Sequence, residues 1–191
     1  MMKPTETRAS TTCYLTENYY TSGDISMTIS QSTKKYTKKL SKDEMGHWQT
    51  KSLFNPSKNF GFLYCIHNTV TGQFYWGKKQ FFHGGKKKSA TYGKEMTWRT
   101  YTGSSVHLKA DITLHGHDKF NFEIVDVYKT KGGLYYAEAY AQMVSESMTE
   151  MLKDGKTPRF YNRQIAAIRF VPKEPVAETT RKYIKLLKGK Y

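Results

Sequence analysis

The side chains in this sequence that could do chemistry are two tyrosines, a pair of lysines and one glutamate. Tyr64 and Tyr75 fall on a predicted β-hairpin, Lys78 and Lys79 follow directly after it, and Glu138 falls on a later predicted helix. Phosphodiester hydrolysis can use such a set, because a metal ion stabilises developing charge, a cation binds the phosphate and a phenol or water accepts a proton. In a simpler interpretation, both tyrosines only pack the hairpin.

The sequence lacks the motifs of several other kinds of active site and metal site. The sequence has neither a GxSxG nucleophile motif nor a GxxxxGK[ST] phosphate loop, so neither a hydrolase of that type nor a nucleotide cofactor is expected. Cys13 and Cys65 form no CxxC zinc motif and are too few for a disulfide framework. His115 and His117 lack a third ligand nearby, and we expect them to be solvated.

The charge of the chain points to a polyanionic partner. Lysine and arginine total 31 against 16 acidic residues, a formal net charge of +15. Such a charge attracts nucleic acid from solution, which makes nucleic acid the favoured partner. With no apolar run of eighteen residues and no apolar stretch near the N-terminus, we expect no membrane partner and a cytoplasmic location.

The composition changes along the chain. Residues 1–55 are rich in Thr and Ser, contain the basic run Lys34–Lys42 and show no sustained periodicity. They are predicted to form a flexible basic arm, disordered or extended, whose lysines could follow a phosphate backbone. Residues 56–170 are predicted to form the folded domain, and residues 171–191 a basic C-terminal tail.

The folded domain is predicted to mix strands and helices. Aromatic and β-branched residues flank a turn at 68–72, which predicts the hairpin. The predicted elements are strands at 60–67 and 73–77, a helix at 106–114, a central strand at 120–128 and a helix at 134–153. Residues 78–103 are predicted to form a long basic loop that carries Lys86, Lys87 and Lys88.

Glu138 lies at the edge of the apolar stripe of the last helix, one turn after Leu134. A carboxylate there faces the margin of a core. It could be an ordinary salt-bridge partner for one of the many lysines, or a metal ligand at the rim of a site.

Several short motifs occur in an order that resembles the GIY-YIG endonuclease family. The motifs are Gly61-Phe62-Leu63-Tyr64, Tyr75-Trp76-Gly77, Gly103-Ser104-Ser105 before a helix, Phe120–Ile124, Glu138 in YYAEAYAQ and Tyr161-Asn162. The similarity covers roughly residues 60–165 and is nearest to phage-encoded nucleases of the family, including homing endonucleases.

The resemblance implies a small α/β (α+β) domain, with a three-stranded antiparallel sheet flanked by helices. It also implies cleavage of double-stranded DNA with Mg²⁺ or Mn²⁺. By position, Tyr64 would act as or beside the general base, and Tyr75 would hydrogen-bond the phosphate or water. Glu138 would bind the metal, and Asn162 would support the site.

The sequence departs from the family at the catalytic arginine, which the family carries on the helix soon after its second motif. Arg99 could fold back into the site, or Lys78 or Lys79 could replace the arginine as a point charge without its bidentate geometry. We expect the phosphate cation to be Arg99. The lysines Lys78, Lys79 and Lys86–Lys88, together with Arg99, are predicted to bind DNA. A catalytically degenerate nucleic-acid-binding protein is the alternative function.

Overall fold

The structure is a computed structural model that describes residues 39–165 and 174–189. Within these ranges the chain forms an α+β fold of four strands and three α-helices, apart from short 3₁₀ turns. In chain order the elements are β1 (Gln49–Thr50), β2 (Gly61–Asn68), β3 (Phe74–Gln80), α1 (Val106–His115), β4 (Phe120–Tyr128), α2 (Lys131–Val144) and α3 (Glu178–Gly189).

The sheet has the strand order β1-β4-β2-β3. Strand β2 pairs antiparallel with both β3 and β4, and β1 pairs parallel with β4. The predicted three-stranded sheet was therefore one strand short. The missed strand β1 has two residues, too few to show the alternation by which a strand is recognised. Strand β4 lies inside the sheet, as its apolar sequence predicted, and β3 lies at an edge.

The predicted hairpin is confirmed. In its register Tyr64 lies opposite Gly77 and Ile66 lies opposite Tyr75. The turn is stabilised by the side chain of Asn68, whose Oδ1 accepts hydrogen bonds from the backbone N–H groups of Val70 (3.0 Å) and Thr71 (3.3 Å). Strand alternation then places Tyr64 and Tyr75 on the same face of the sheet.

That face, called here the aromatic face, carries Phe62, Tyr64 and Tyr75 and is covered largely by irregular chain. Besides helix α1, its cover comes from the segment before β2 and from the loop between β3 and α1. The covering side chains are Leu40, Met45, Trp48, Phe54, Phe81, Trp98 and Leu108. Many rings meet edge to face; those of Trp48 and Phe62 lie 5.2 Å apart at 73°.

The opposite, helical face carries Leu63, Cys65 and Trp76 and is covered by α2 and α3. The helices contribute a second, more aliphatic core. Its helical side chains are Leu134, Ala137, Ala141, Ile184 and Leu187.

The folded unit begins earlier than predicted. Leu40, Met45, Trp48 and Phe54 are each at most 5% exposed, so residues 40–55 belong to the core and not to an arm that ends at residue 55. These apolar residues are isolated among polar ones, which is why the segment carries no periodic signal. Residues 1–38 of the predicted arm lie outside the described residues.

Helix α2 also differs from its predicted range of 134–153. It begins at Lys131 behind Thr130, whose Oγ1 accepts a hydrogen bond from the N–H of Gly133 at 3.0 Å. It ends at Val144, and soon afterwards Glu146 takes the left-handed conformation (φ 55°), which a helix cannot continue through.

The predicted basic tail contains α3, which packs on the helical face through Ile184 and Leu187. In addition, its Thr180 hydroxyl lies 3.1 Å from the hydroxyl of Tyr128 on β4. Among the described residues, no helix is long and apolar enough to cross a membrane.

Candidate active site

A cavity of about 430 Å³ opens at the outer edge of β3, where the covers of the two faces meet. Its lining includes four of the predicted site residues, Tyr75, Lys78, Glu138 and Asn162. Strand β3 supplies Tyr75 from the aromatic face and Lys78 from the helical face. Helix α2 supplies Glu138. Glu138 follows Lys78 by 60 residues in sequence, and the fold brings the two together.

Asn162 closes the edge of β3 in place of a further strand. Its Oδ1 accepts a hydrogen bond from the N–H of Trp76, and its Nδ2 donates one to the carbonyl oxygen of Trp76, both at 2.9 Å. Earlier on the same strand, the backbone of Phe74 pairs with Arg159 and Tyr161 at 2.8 Å. An amide side chain offers both donors and an acceptor, so it matches both outward groups of a strand residue. Asn162 therefore fixes the strand that carries Tyr75 and Lys78.

Glu138 is 9% exposed and forms an ion pair with the ammonium group of Lys78. Burial raises the pKa of the Glu138 carboxyl above its usual value, while the charge of Lys78 and hydrogen bonds from its ammonium and backbone oppose this shift. The sequence left open whether Glu138 is a salt-bridge partner or a metal ligand. The structure shows the salt bridge between Glu138 and Lys78. Because Glu138 also lines a polar cavity, its position is compatible with a metal ligand as well.

Tyr64 is 1% exposed and does not line the cavity, although its hydroxyl points towards the edge of β3. The ring crosses β3 over Gly77, and a Cβ at position 77 would overlap the Tyr64 hydroxyl. Burial strongly raises the pKa of Tyr64, and the nearby groups of Tyr75, Tyr101 and Glu138 raise it further. At neutral pH the Tyr64 phenol therefore keeps its proton and acts as a donor.

Tyr75 reaches the cavity directly. Its hydroxyl lies 3.0 Å from Oγ of Ser104, just before α1. Burial raises the pKa of the Tyr75 phenol, and hydrogen bonding to Ser104 partly opposes this shift. Its ring packs against Gly103, which has a φ of 92° and where a Cβ would approach the ring to 3.0 Å. A glycine is thus needed for this contact between Tyr75 and the loop.

Arg99 is not brought to the cavity. Its guanidinium pairs with Glu95 and lies 4.3 Å from the ring of Trp98, and its Nε donates to the carbonyl oxygen of Glu44 at 2.7 Å. These contacts tie the loop to the segment before β1. The structure thus places Lys78, rather than the expected Arg99, beside Glu138.

The other predicted lysines lie outside the main cavity. The ammonium of Lys79 lies 4.0 Å from the ring centre of Tyr101, and burial lowers the pKa of Lys79. Lys86, Lys87 and Lys88 are exposed on the loop between β3 and α1. They could meet a nucleic acid only beyond the cavity.

Sequence reasoning missed several cavity residues. Gln142 lies one helical turn after Glu138, and this i,i+4 spacing was the available signal. Ser104 was expected only as a helix cap. His107 on α1 and Arg163 after Asn162 are exposed at the rim and carried no recognisable signal.

The donor set around Glu138 fits a hard cation with an incomplete protein shell. Within residues 39–165 and 174–189, no three His, Cys, Asp or Glu side chains meet as a metal cluster. Mg²⁺ commonly keeps several waters and uses one or two carboxylates together with substrate phosphates. One carboxylate, a nearby ammonium and the phenol of Tyr75 therefore suit an anionic substrate with a divalent cation.

Comparison with known proteins agrees with this geometry. Residues 44–165 match a family model described as "Putative endonuclease segE, GIY-YIG domain". The match begins within the segment 40–55 that the structure places in the core. No match was found among curated proteins or among solved structures. Since the family match spans well over half of the chain and contains every residue of the cavity, the protein belongs to the SegE-type GIY-YIG endonuclease family.

Proposed function

We propose that the protein is a divalent-metal-dependent endonuclease that cuts double-stranded DNA. Mg²⁺ or Mn²⁺ is the proposed metal, and a phage-infected host cytoplasm the proposed place of action, as the family resemblance implies. The net charge of +15 favours a nucleic acid substrate. The observation that carries the proposal is the Glu138–Lys78 pair, which lies in a cavity also lined by Tyr75 and Asn162.

In this proposal Glu138 supplies the protein ligand of the metal ion. When bound, such an ion stabilises negative charge on the phosphate and lowers the pKa of a coordinated water. Lys78, released from Glu138, binds a non-bridging phosphate oxygen. Asn162 fixes the strand from which the Lys78 side chain extends. The ammonium of Lys78 therefore needs only a side-chain rotation to move from Glu138 to the phosphate.

The two tyrosines orient the attacking water and the phosphate. Their raised pKa values keep both phenols protonated near neutral pH, so each can donate a hydrogen bond to an oxygen. Tyr75 faces the cavity and contacts the phosphate or water directly. Tyr64, held behind Gly77, acts beside the general base rather than as the base itself.

The test is cleavage of supercoiled plasmid by purified protein with Mg²⁺, with Mn²⁺ and with EDTA. We expect nicking only with metal, and a loss of at least about a hundredfold in the single-turnover rate for Glu138→Gln. DNA affinity in EDTA should be largely kept by this variant. Glu146→Gln is the matched control, since Glu146 is an exposed carboxylate that does not line the cavity.

Two results would contradict the proposal. Cleavage by Glu138→Gln at the wild-type rate would remove the metal-site assignment. DNA retardation with no cleavage under any metal condition would instead support the degenerate nucleic-acid-binding protein, in which the Lys78–Glu138 ion pair is permanent.

A further inference from the structure

A polar row on α2 extends past the main cavity. Lys131, Tyr135, Glu138 and Gln142 follow one another at spacings of four, three and four residues, which places them on one side of the helix. Glu138 and Gln142 line the main cavity. Tyr135 and Lys131 continue the row towards the start of the helix, where the family motifs assign no function.

A second, smaller cavity lies beside this extension. It has a volume of about 230 Å³, several times the roughly 30 Å³ that one water occupies in the liquid. Lys78, Lys79, Gln80 and Tyr135 line it, together with the apolar side chains of Phe60 and Leu134. Lys78 lines both cavities, so the two are neighbours along the edge of β3.

The ring of Tyr135 is flanked by two ammonium groups. The Nζ of Lys78 lies 4.2 Å from its centroid, and the Nζ of Lys131 lies 5.4 Å from it. Within the described part of the chain, Lys78 is paired with Glu138, but Lys131 and Lys79 form no ion pair with a carboxylate. Two lysines, Lys78 and Lys79, thus line a small polar cavity whose lining, among the described residues, contains no acidic side chain, and Lys131 adjoins it through the ring of Tyr135.

We propose that this cavity is a second phosphate-binding subsite, which holds a phosphodiester of the cleaved DNA strand a few nucleotides from the scissile one. The inference rests on the proposed function. Seven residues separate Lys131 from Glu138, about 10 Å along the helix at 1.5 Å per residue. A DNA strand advances about 3.4 Å per nucleotide along the duplex axis, so the subsite meets a phosphate within about three nucleotides of the scissile one.

Each residue of the subsite has a separate task. Lys131 neutralises the phosphate, Lys78 is shared with the scissile phosphate, and Lys79 joins them only when its ammonium turns away from Tyr101. Tyr135 holds the ammonium groups of Lys78 and Lys131 over its ring by cation–π attraction. The row on α2 would thus fix the direction in which the strand crosses the edge of β3.

The experiment measures binding without cleavage, using a fluorescent random-sequence duplex and full-length protein in EDTA. Each phosphate that the protein neutralises on duplex DNA adds about 0.9 to the steepness with which log K falls against log salt. We expect Lys131→Ala to reduce this steepness by about that amount and to weaken binding several-fold. Lys129→Ala is the matched control, because it removes the same exposed charge two residues before Lys131, at a side chain that does not lie against the Tyr135 ring.

Tyr135 provides an independent measurement. Tyr135→Phe keeps the ring and should bind as the wild type does. Tyr135→Leu removes the platform and should weaken binding several-fold, and circular dichroism with thermal melts shows whether each variant is folded. Because Lys131 is exposed, its substitution should not disturb folding.

The outcomes separate the two proposals. Equal slopes for Lys131→Ala and Lys129→Ala would overturn the subsite even if the enzyme cuts DNA normally. Conversely, a wild-type protein that binds but never cuts contradicts the proposed function, while a selective loss of affinity in Lys131→Ala still supports the subsite as a binding site for the DNA backbone.

Discussion

The two faces of the sheet are covered in different ways. The helical face is covered by α2 and α3, whose buried side chains recur at helical spacing. The aromatic face is covered mainly by irregular chain, and its largest side chains, such as Trp48 and Trp98, come from segments without periodicity. The cavity lies where these two covers meet, at the edge of β3.

The two covers contribute differently to the stability of the fold and to the charge of the candidate site. Trp48 and Trp98 are at most 4% exposed and hold distant segments together through the bond from Trp48 Nε1 to the carbonyl oxygen of Trp98 at 2.6 Å. The helical side instead contributes Glu138 and Lys78, the charged side chains of the candidate site. We expect substitutions of the side chains that cover the aromatic face mainly to unfold the protein, and those of the cavity residues, Tyr75 included, mainly to affect cleavage.

The largest effect is expected for Trp48→Ala. Truncation of a buried tryptophan leaves a cavity and here also removes a hydrogen bond, so the free energy of unfolding should fall by about 3–5 kcal/mol. Urea denaturation followed by circular dichroism measures this change. Leu53→Ala, at a side chain 39% exposed in the same segment, should cost much less. Equal losses would show that residues 40–55 are not part of the core.

An intermediate effect, on the cleavage rate, is expected when Lys78, the proposed phosphate-binding cation, is substituted. Lys78→Ala should lower the single-turnover cleavage rate by on the order of a hundredfold, the usual size for one electrostatic interaction in the transition state. Arg99→Ala and Lys79→Ala should each cut within about tenfold of the wild type, provided that the variants are folded. If Arg99→Ala is folded but does not cleave DNA while Lys78→Ala does, the phosphate-binding cation is Arg99, and the loop between β3 and α1 must bring it to the cavity.

The smallest of the three effects is expected for Asn162→Ala, which tests the boundary between the two covers. It removes both partners of the Trp76 backbone, and a buried group without a partner costs about 1–3 kcal/mol. We expect the free energy of unfolding to fall by that amount, with a weaker loss of cleavage. Gln164→Ala, two residues away and exposed at the rim, is the control. An unchanged stability would mean that the amide does not hold β3.

The same contrast explains which parts of the fold were predictable. The hairpin, α1 and β4 have clear alternation, turn or capping signals, and each was predicted within a few residues. Segment 40–55 was predicted as arm because its buried residues satisfy no helix or strand period. Trp48 packs on Phe62 and Phe122, and Phe54 packs on Phe81 and Trp98; such long-range packing cannot be read from local sequence.

At the site, motif order predicted residues that the fold does bring together. Tyr75, Lys78, Glu138 and Asn162 line one cavity. The choice between Arg99 and Lys78 depended instead on the direction taken by the long loop between β3 and α1. Chemical preference favoured arginine, but Glu95 and the Glu44 carbonyl bind Arg99 elsewhere. Proximity of Lys78 to Tyr75 along one strand predicts its position in the cavity, while the identity of the phosphate cation stays a prediction.

Gly77 lies between two ionisable groups on opposite faces of the sheet, Tyr64 and Glu138. Because position 77 has no side chain on the aromatic face, the Tyr64 hydroxyl lies directly against the backbone of β3. Burial is the main cause of the raised pKa of Tyr64, and the charge of Glu138, across the sheet on the helical face, raises it further. Neutralising Glu138 would therefore make the proton of Tyr64 easier to remove, so a substitution in the helical core changes the acidity of a phenol in the aromatic core.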